Sequence, residues 1–231
     1  MHQKSVVKLS PQMCVLAWGI SLPRKAISKG WYVTSLSLSP SPCVHVNNRL
    51  TTKQIQAGAS LATHVMNALP EFIHRHHNSV FPLLARNDIS CCIIADGEHV
   101  PPCTITTILR AKGLSRIILT SDVSPVAGLP DGEHMCFGNR VRVTGRRIRS
   151  CDRDGLAGSG ALMIDCANFM FSEVFQRYGL NLTIRDIEEM TFHAPLRAIG
   201  IDSSMFVSRS KNIISYDSLS GKFVWGLDKN K

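Results

Sequence analysis

The sequence predicts an α/β protein organised around a parallel sheet, and three observations point there. From Trp31 onward, short apolar and β-branched runs alternate with longer segments of helical periodicity. The chain has 231 residues, 44% of them hydrophobic, which is enough to bury a substantial core. Polar reactive side chains recur at the ends of successive predicted strands, where parallel βα folds gather their active sites.

Residues 1–28 are expected to form a divergent or poorly ordered segment. Met13–Leu22 faintly resembles the apolar part of a signal peptide, but the stretch before it is long and interrupted by Pro11. Strands are expected over Trp31–Leu38, Leu61–His64, Ser90–Ala95 and Arg116–Thr120. Helices are expected over Thr52–Ala59, Thr104–Ala111, Ala161–Tyr178 and Ile184–Met190, the last with Asn181 or Thr183 as its cap. Gly138–Ser150 reads as an antiparallel hairpin in which Arg140, Arg142, Arg146, Arg147 and Arg149 alternate with Val141, Val143 and Ile148. No aromatic side chains interleave with these arginines to stack on bases, so the basic face is a solvated strand surface and no nucleic-acid partner is expected.

The formal charge of +9 suits an anionic partner, whether a phosphate ester, a nucleic acid or a membrane surface, but says nothing of the fold. No apolar run approaches the roughly 20 residues needed to span a bilayer, so no membrane partner is expected. The eight cysteines form no CxxC pair, and Cys91-Cys92 lies inside an apolar run. This spacing matches neither a zinc knuckle nor a disulfide framework and points to reduced thiols in a cytoplasmic protein.

The chemistry lies at three strand ends. Leu61-Ala-Thr-His64 ends in a histidine, Ile93-Ile-Ala-Asp-Gly-Glu-His99 ends in a histidine after an acidic turn, and Ile117-Ile-Leu-Thr-Ser-Asp122 ends in an aspartate. Any one of them alone is more often a hydrogen-bonded structural residue or a turn starter than a functional group. Together they suit a hydrolysis in which a histidine holds a divalent metal and a carboxylate takes the proton of the attacking water.

At this point the residues resemble a known pattern. Ala62-Thr-His-Val-Met-Asn-Ala-Leu-Pro70 with His74-Arg75, Ile94-Ala-Asp-Gly-Glu-His-Val100, Leu119-Thr-Ser-Asp-Val-Ser-Pro-Val-Ala-Gly128 with Leu129-Pro-Asp-Gly132, Gly155-Leu-Ala-Gly-Ser159 and Ala194-Pro-Leu-Arg-Ala-Ile-Gly200 follow one another in order. They resemble the motifs of the N-acetylglucosamine-6-phosphate deacetylases of the amidohydrolase superfamily, in the C-terminal half of such a protein. The resemblance implies a partial (β/α)8 TIM-type barrel, about strands 5–8, over residues 29–202. It also implies a C-terminal tail over 203–231, with short β elements from a truncated β-sandwich.

The resemblance further implies metal-dependent hydrolysis of the acetamide of N-acetylglucosamine 6-phosphate, with Asp122 as the catalytic acid–base and His64 as a metal ligand. Asn67 and Ala68 are implied to contact the sugar, Arg75 the 6-phosphate, and His99 the substrate near the scissile acetamide. The Leu156-Ala157-Gly158 loop is implied to close over the sugar. The resemblance implies a phosphorylated amino sugar as partner and one divalent metal ion, zinc, in an incomplete site, with a homodimer as a candidate assembly. Nothing upstream of Trp31 offers the family's HxH or HLEGP-like stretch, so the first half of the barrel is expected to be missing. The second ligand slot falls on Cys43 by ungapped counting and on His45 with a small shift.

Ser218-Leu-Ser-Gly-Lys-Phe-Val-Trp225 resembles the family's terminal strand and is expected to present an unpaired, partly apolar edge. An open-edged half barrel is expected to be marginally stable as a monomer. The alternative to an enzyme is an inactive phosphosugar-binding paralogue that keeps Asn67, Arg75 and His99 without a complete metal site.

Overall fold

The computed structural model describes residues 6–8, 33–35, 60–67, 69, 72–172, 174–204 and 213–226. Strand β1 (Val6–Lys8) belongs to a small sheet taken up below. Strands β2 (Val33–Ser35), β3 (Leu61–Thr63), β4 (Ser90–Ile94) and β5 (Ile117–Thr120) pair in parallel in that order. Runs such as Cys91-Cys-Ile-Ile94 are apolar at every position because both faces of such a sheet are covered. Alternation then sorts the side chains. Ala62, Cys91, Ile93, Ile117 and Leu119 enter the main core, while Leu61, Cys92 and Ile118 meet Ala194 on the other side.

The helices are α1 (Val80–Ala85), α2 (Pro102–Lys112), α3 (Met163–Met170), α4 (Ile184–Glu188) and α5 (Ala194–Ala198). Ile105, Ile108 and Leu109 of α2 and Ile164, Ala167 and Met170 of α3 are buried in the main core. Thr183 caps α4: its hydroxyl accepts the Asp186 N–H at 3.3 Å, and the Asp186 carboxylate accepts the Thr183 N–H at 2.7 Å.

Two helices differ from expectation. The single helix expected over Ala161–Tyr178 stops at Met170, because the backbone N–H and the hydroxyl of Ser172 both turn back to the Phe169 carbonyl. A short turn over Gln176–Tyr178 follows. The helix expected to end at Met190 instead continues through a wide π turn, Glu189–His193, into α5. Pro195, which has no N–H to donate, falls where the wide turn passes into α5. The expected helix Thr52–Ala59 lies outside the described residues.

Strands β6 (Gly132–Cys136), β7 (Asn139–Thr144), β8 (Arg147–Ser150) and β9 (Leu156–Ser159) form an antiparallel sheet in chain order. Its buried side holds Val126, Val141, Val143 and Ile148. The arginines on its other side are neutralised within the chain: Arg140 pairs with Asp152 at 2.8 Å, Arg142 with Glu133 at 2.6 Å, Arg147 with Glu98 at 2.6 Å and Arg149 with Asp154 at 2.6 Å. A face so paired has little charge left for a polyanion.

The terminal strand pairs on one side only, so its outer edge is open and partly apolar. Strand β11 (Lys222–Gly226) forms an antiparallel hairpin with β10 (Ile213–Asp217), and β10 pairs in turn with β1 from the N-terminal segment. Ile214 and Phe223 reach the main core, and the Asn168 side chain bonds both the N–H and the carbonyl of Phe223, at 2.7 and 3.0 Å. β11 lies at the edge of this sheet, with Val224 and Trp225 exposed.

Candidate active site

Two of the three reactive strand ends adopt backbone conformations that ordinary residues avoid. His64, just past β3, has φ +35°, and Asp122, two residues past β5, has φ +49°; Met66 has φ +76°. Left-handed backbone at a non-glycine residue costs about 1–3 kcal/mol and collects at functional sites. The turn after β3 is held by Asn67, whose backbone N–H and side-chain amide both donate to the His64 carbonyl, at 2.9 and 3.3 Å. The Nδ1 atom of His64 is buried without a hydrogen-bond partner among the described residues, a state that costs about 1–3 kcal/mol unless a partner or ligand offsets it.

Asp122 is half-buried, and burial raises its carboxyl above the usual range, with the nearby His99 and His64 pulling it part of the way back. Its backbone is tied to β9: the Asp122 carbonyl accepts the Ser159 N–H at 2.8 Å, and the Ser124 N–H donates to the Ser159 carbonyl at 2.8 Å. Leu156-Ala157-Gly158, expected as a loop, is instead part of strand β9, because it pairs with β8, and it runs directly beside Asp122. Gly158 has φ +77°, and a Cβ there would stand 3.1 Å from the Asp122 carbonyl oxygen. Only glycine lets the two segments approach this closely.

His99 is held by Asp96. The two side chains meet at 2.7 Å between Nδ1 and Oδ2 and are only 7% and 4% exposed, while Asp96 Oδ1 accepts the N–H groups of Glu98 and His99, each at 2.9 Å. Burial acts to raise the Asp96 carboxyl, but the bonds from the His99 ring and the two backbone N–H groups prevail and bring it down to about 2. A carboxyl depressed in the folded state stabilises the fold above its unfolded value near 4, and that stability is lost as pH falls through about 2. Urea unfolding at stepped pH is expected to show a loss of roughly 2 kcal/mol between pH 5 and 2 that is absent in Asp96→Asn.

The remaining expected residues are placed less closely. Arg75 is exposed on a loop organised by its neighbours: His74 Nδ1 accepts the N–H groups of His76 and His77, each at 3.1 Å, and the Asn78 amide donates to the carbonyls of His74 and Arg75 at 3.0 and 3.4 Å. The Arg75 guanidinium has no ion-pair partner among the described residues. Ala68, His45 and Cys43 lie outside the described residues. Cys91 and Cys92 are free thiols pushed by burial up to about 11 and 12, which makes them inert as nucleophiles or ligands. Among the described residues no group of three His, Cys, Asp or Glu side chains is arranged to hold a metal ion. One metal-binding donor fits nonetheless, the orphaned imidazole of His64, with the Asp122 carboxyl close by.

The α/β fold is similar to that of solved deacetylases. More particularly, the chain is similar to the N-acetylglucosamine-6-phosphate deacetylases over part of their length. It is 33% identical over 155 residues to the N-acetylglucosamine-6-phosphate deacetylase of Bacillus subtilis (strain 168), a match covering 67% of this chain and 37% of the relative. It is 31% identical over 148 residues to the N-acetylgalactosamine-6-phosphate deacetylase of Shewanella sp. (strain ANA-3), covering 64% of this chain and 36% of the relative. Its fold is similar to that of the Mycobacterium smegmatis N-acetyl-D-glucosamine-6-phosphate deacetylase in complex with N-acetyl-D-glucosamine-6-phosphate. That match has a TM-score of 0.64 and 20% identity, and covers 78% of this chain and 49% of that one. The chain thus spans well under half the length of these two curated relatives. No protein-family model matches the sequence. No helix among the described residues is long and apolar enough to cross a membrane.

Proposed function

We propose that the chain carries the catalytic face of a metal-dependent deacetylase that hydrolyses the acetamide of N-acetylglucosamine 6-phosphate to acetate and glucosamine 6-phosphate in the cytoplasm. The observation that carries this reading is the meeting of Asp122 with the Leu156–Gly158 segment, beside His64 and His99, at the ends of parallel strands. Strands β2–β5 and their helices are then part of a (β/α)8 barrel, about strands 5–8, and β1, β10 and β11 are what remains of a β-sandwich.

His64, with His45, would hold the divalent ion, zinc in this reading, and what it supplies when bound is a more acidic water and a polarised carbonyl. Asp122 takes the proton of the attacking water and passes it to the amine nitrogen as the C–N bond breaks. A carboxyl raised by burial suits both halves of that transfer, since it holds and releases a proton more evenly than an exposed one. His99 meets the acetamide region, and Asn67 and Ala68 meet the sugar. Arg75 faces the phosphate, whose paired oxygens match a guanidinium fork. The Leu156–Gly158 segment closes over the ring.

The test is acetate release by the purified chain with zinc and N-acetylglucosamine 6-phosphate, with N-acetylgalactosamine 6-phosphate as the competing epimer. Release from the glucosamine sugar in preference to its epimer is the expected result, and no acetate at any protein or metal concentration rejects it. A second reading, an inactive phosphosugar-binding protein, is favoured by the lack of a three-ligand cluster among the described residues. Stoichiometric zinc in the purified protein contradicts that second reading.

A further inference from the structure

We infer that Asp96 is a positioning residue for His99: its carboxylate fixes which ring nitrogen carries the proton and leaves Nε2 as the nitrogen offered to a ligand. The tautomer follows from the hydrogen bonds that surround an ionised Asp96. Its catalytic consequence rests on the function proposed above.

An ionised carboxylate has no proton to give, so across the 2.7 Å contact His99 Nδ1 must be the donor and Asp96 Oδ2 the acceptor. The depressed Asp96 carboxyl keeps this arrangement throughout the neutral range. A neutral His99 therefore carries its lone pair on Nε2, where it accepts an N–H or O–H of whatever binds beside Asp122. The same carboxylate builds the turn that aims the ring, since its other oxygen accepts the N–H groups of Glu98 and His99.

Two outside supports hold that turn. Gly97, at φ +85°, is packed so that a Cβ would lie 3.3 Å from the Phe169 ring. Glu98 receives the Arg147 guanidinium at 2.8 Å from Nε, which links the turn to β8. That last pair is half exposed and contributes little energy, so the buried Asp96 carboxylate is the dominant restraint.

The 15N-labelled full chain, studied by long-range 1H–15N correlation at a pH where the ring nitrogens show the two distinct shifts of a neutral imidazole, reports the tautomer directly. His99 is identified by the signals lost in His99→Gln. The wild type is expected to show the Nδ1–H form. In Asp96→Asn the two backbone N–H groups hold the amide oxygen on their side and turn its NH2 toward Nδ1, so the proton is expected to move to Nε2. A wild-type His99 protonated on Nε2, or an unchanged tautomer in folded Asp96→Asn, overturns the inference. If Asp96→Asn does not fold, the wild-type spectrum decides alone. In the acetate assay Asp96→Asn is expected to lose about 100-fold in kcat with a smaller change in KM, as a misaimed group does. An unchanged kcat overturns the catalytic consequence. The expected tautomer in a chain that releases no acetate refutes the deacetylase reading and leaves the role of Asp96 standing.

Discussion

Asp122→Asn is expected to lower acetate release from N-acetylglucosamine 6-phosphate by roughly 10²–10⁴-fold, the range that general acid–base groups supply. The amide occupies the same space and keeps one oxygen, but it can neither take the proton of the attacking water nor deliver one to the departing amine. Among the described residues the Asp122 carboxylate feels His99 and His64 but does not hold the strands together. The backbone of Asp122, not its side chain, is what binds β9, through its carbonyl and the neighbouring Ser124 N–H.

Stability should move the other way. A carboxyl raised by burial is, in its ionised form, a net cost to the folded state at neutral pH, so removing the charge leaves thermal stability unchanged or higher. Such a trade of stability for function is what an active site is expected to show. The two measurements belong together: acetate release by coupled assay and thermal unfolding by circular dichroism. Acetate release within a few-fold of wild type in Asp122→Asn removes this residue from the chemistry, whatever its stability.

The parallel sheet was legible because its strands are short, almost wholly apolar and rich in β-branched residues, as at Ile117-Ile-Leu119, and because polar turns separate them from helical runs. Helix α1 was not. Val80–Ala85 is six residues long, includes Pro82, and owes its start to the Asn78 side chain, which accepts the Phe81 N–H at 3.0 Å. No periodicity can emerge from so short a segment. The break after Met170 was equally hidden, since it depends on Ser172 folding back on Phe169 and on the Phe175 ring packing edge-on against Phe169. Strands β6 and β9 escaped notice because one is polar and the other carries glycine, and both are defined by their neighbours.

At the site, His64, His99 and Asp122 are legible in the sequence because each follows an apolar run, His99 after an acidic turn. Asp96 is not, although the signal is present. An aspartate two and three residues before backbone N–H groups forms a side-chain turn, and its spacing to His99 brings the second oxygen to the ring. The left-handed backbone at His64 and Asp122 has no counterpart in composition or periodicity. It is imposed by the strands and loops on either side, and an Asp tolerates it better than a His.

Gly160→Ala is expected to be the most damaging small substitution in the described chain. A Cβ at this position would stand 2.5 Å from the Arg146 carbonyl oxygen and 2.7 Å from the Arg146 Cα, inside any tolerable contact, and both are backbone atoms that no rotamer change can move. The close approach has a purpose, because the Gly160 N–H donates to that same carbonyl at 3.0 Å and so fixes the end of β9 against the β7–β8 turn. The added methyl must push β9 away from it at a cost of about 3 kcal/mol, the upper range for overpacking. For a chain of this size that corresponds to a fall in Tm of roughly 6–12 °C.

Gly158→Ala separates stability from function at the same strand. Its nearest obstacles, the Asp122 carbonyl at 3.1 Å and the Ser124 Cβ at 3.2 Å, are looser, but the first belongs to Asp122, the residue proposed to carry the proton. The smaller clash and the left-handed backbone together are expected to cost about 1–2 kcal/mol, while acetate release falls more steeply than in a variant of equal stability elsewhere. Thermal unfolding of both variants against the wild type decides this. A Tm for Gly160→Ala within about 2 °C of the wild type would mean that β9 can shift freely. The same freedom would remove the reason for expecting Gly158→Ala to disturb Asp122.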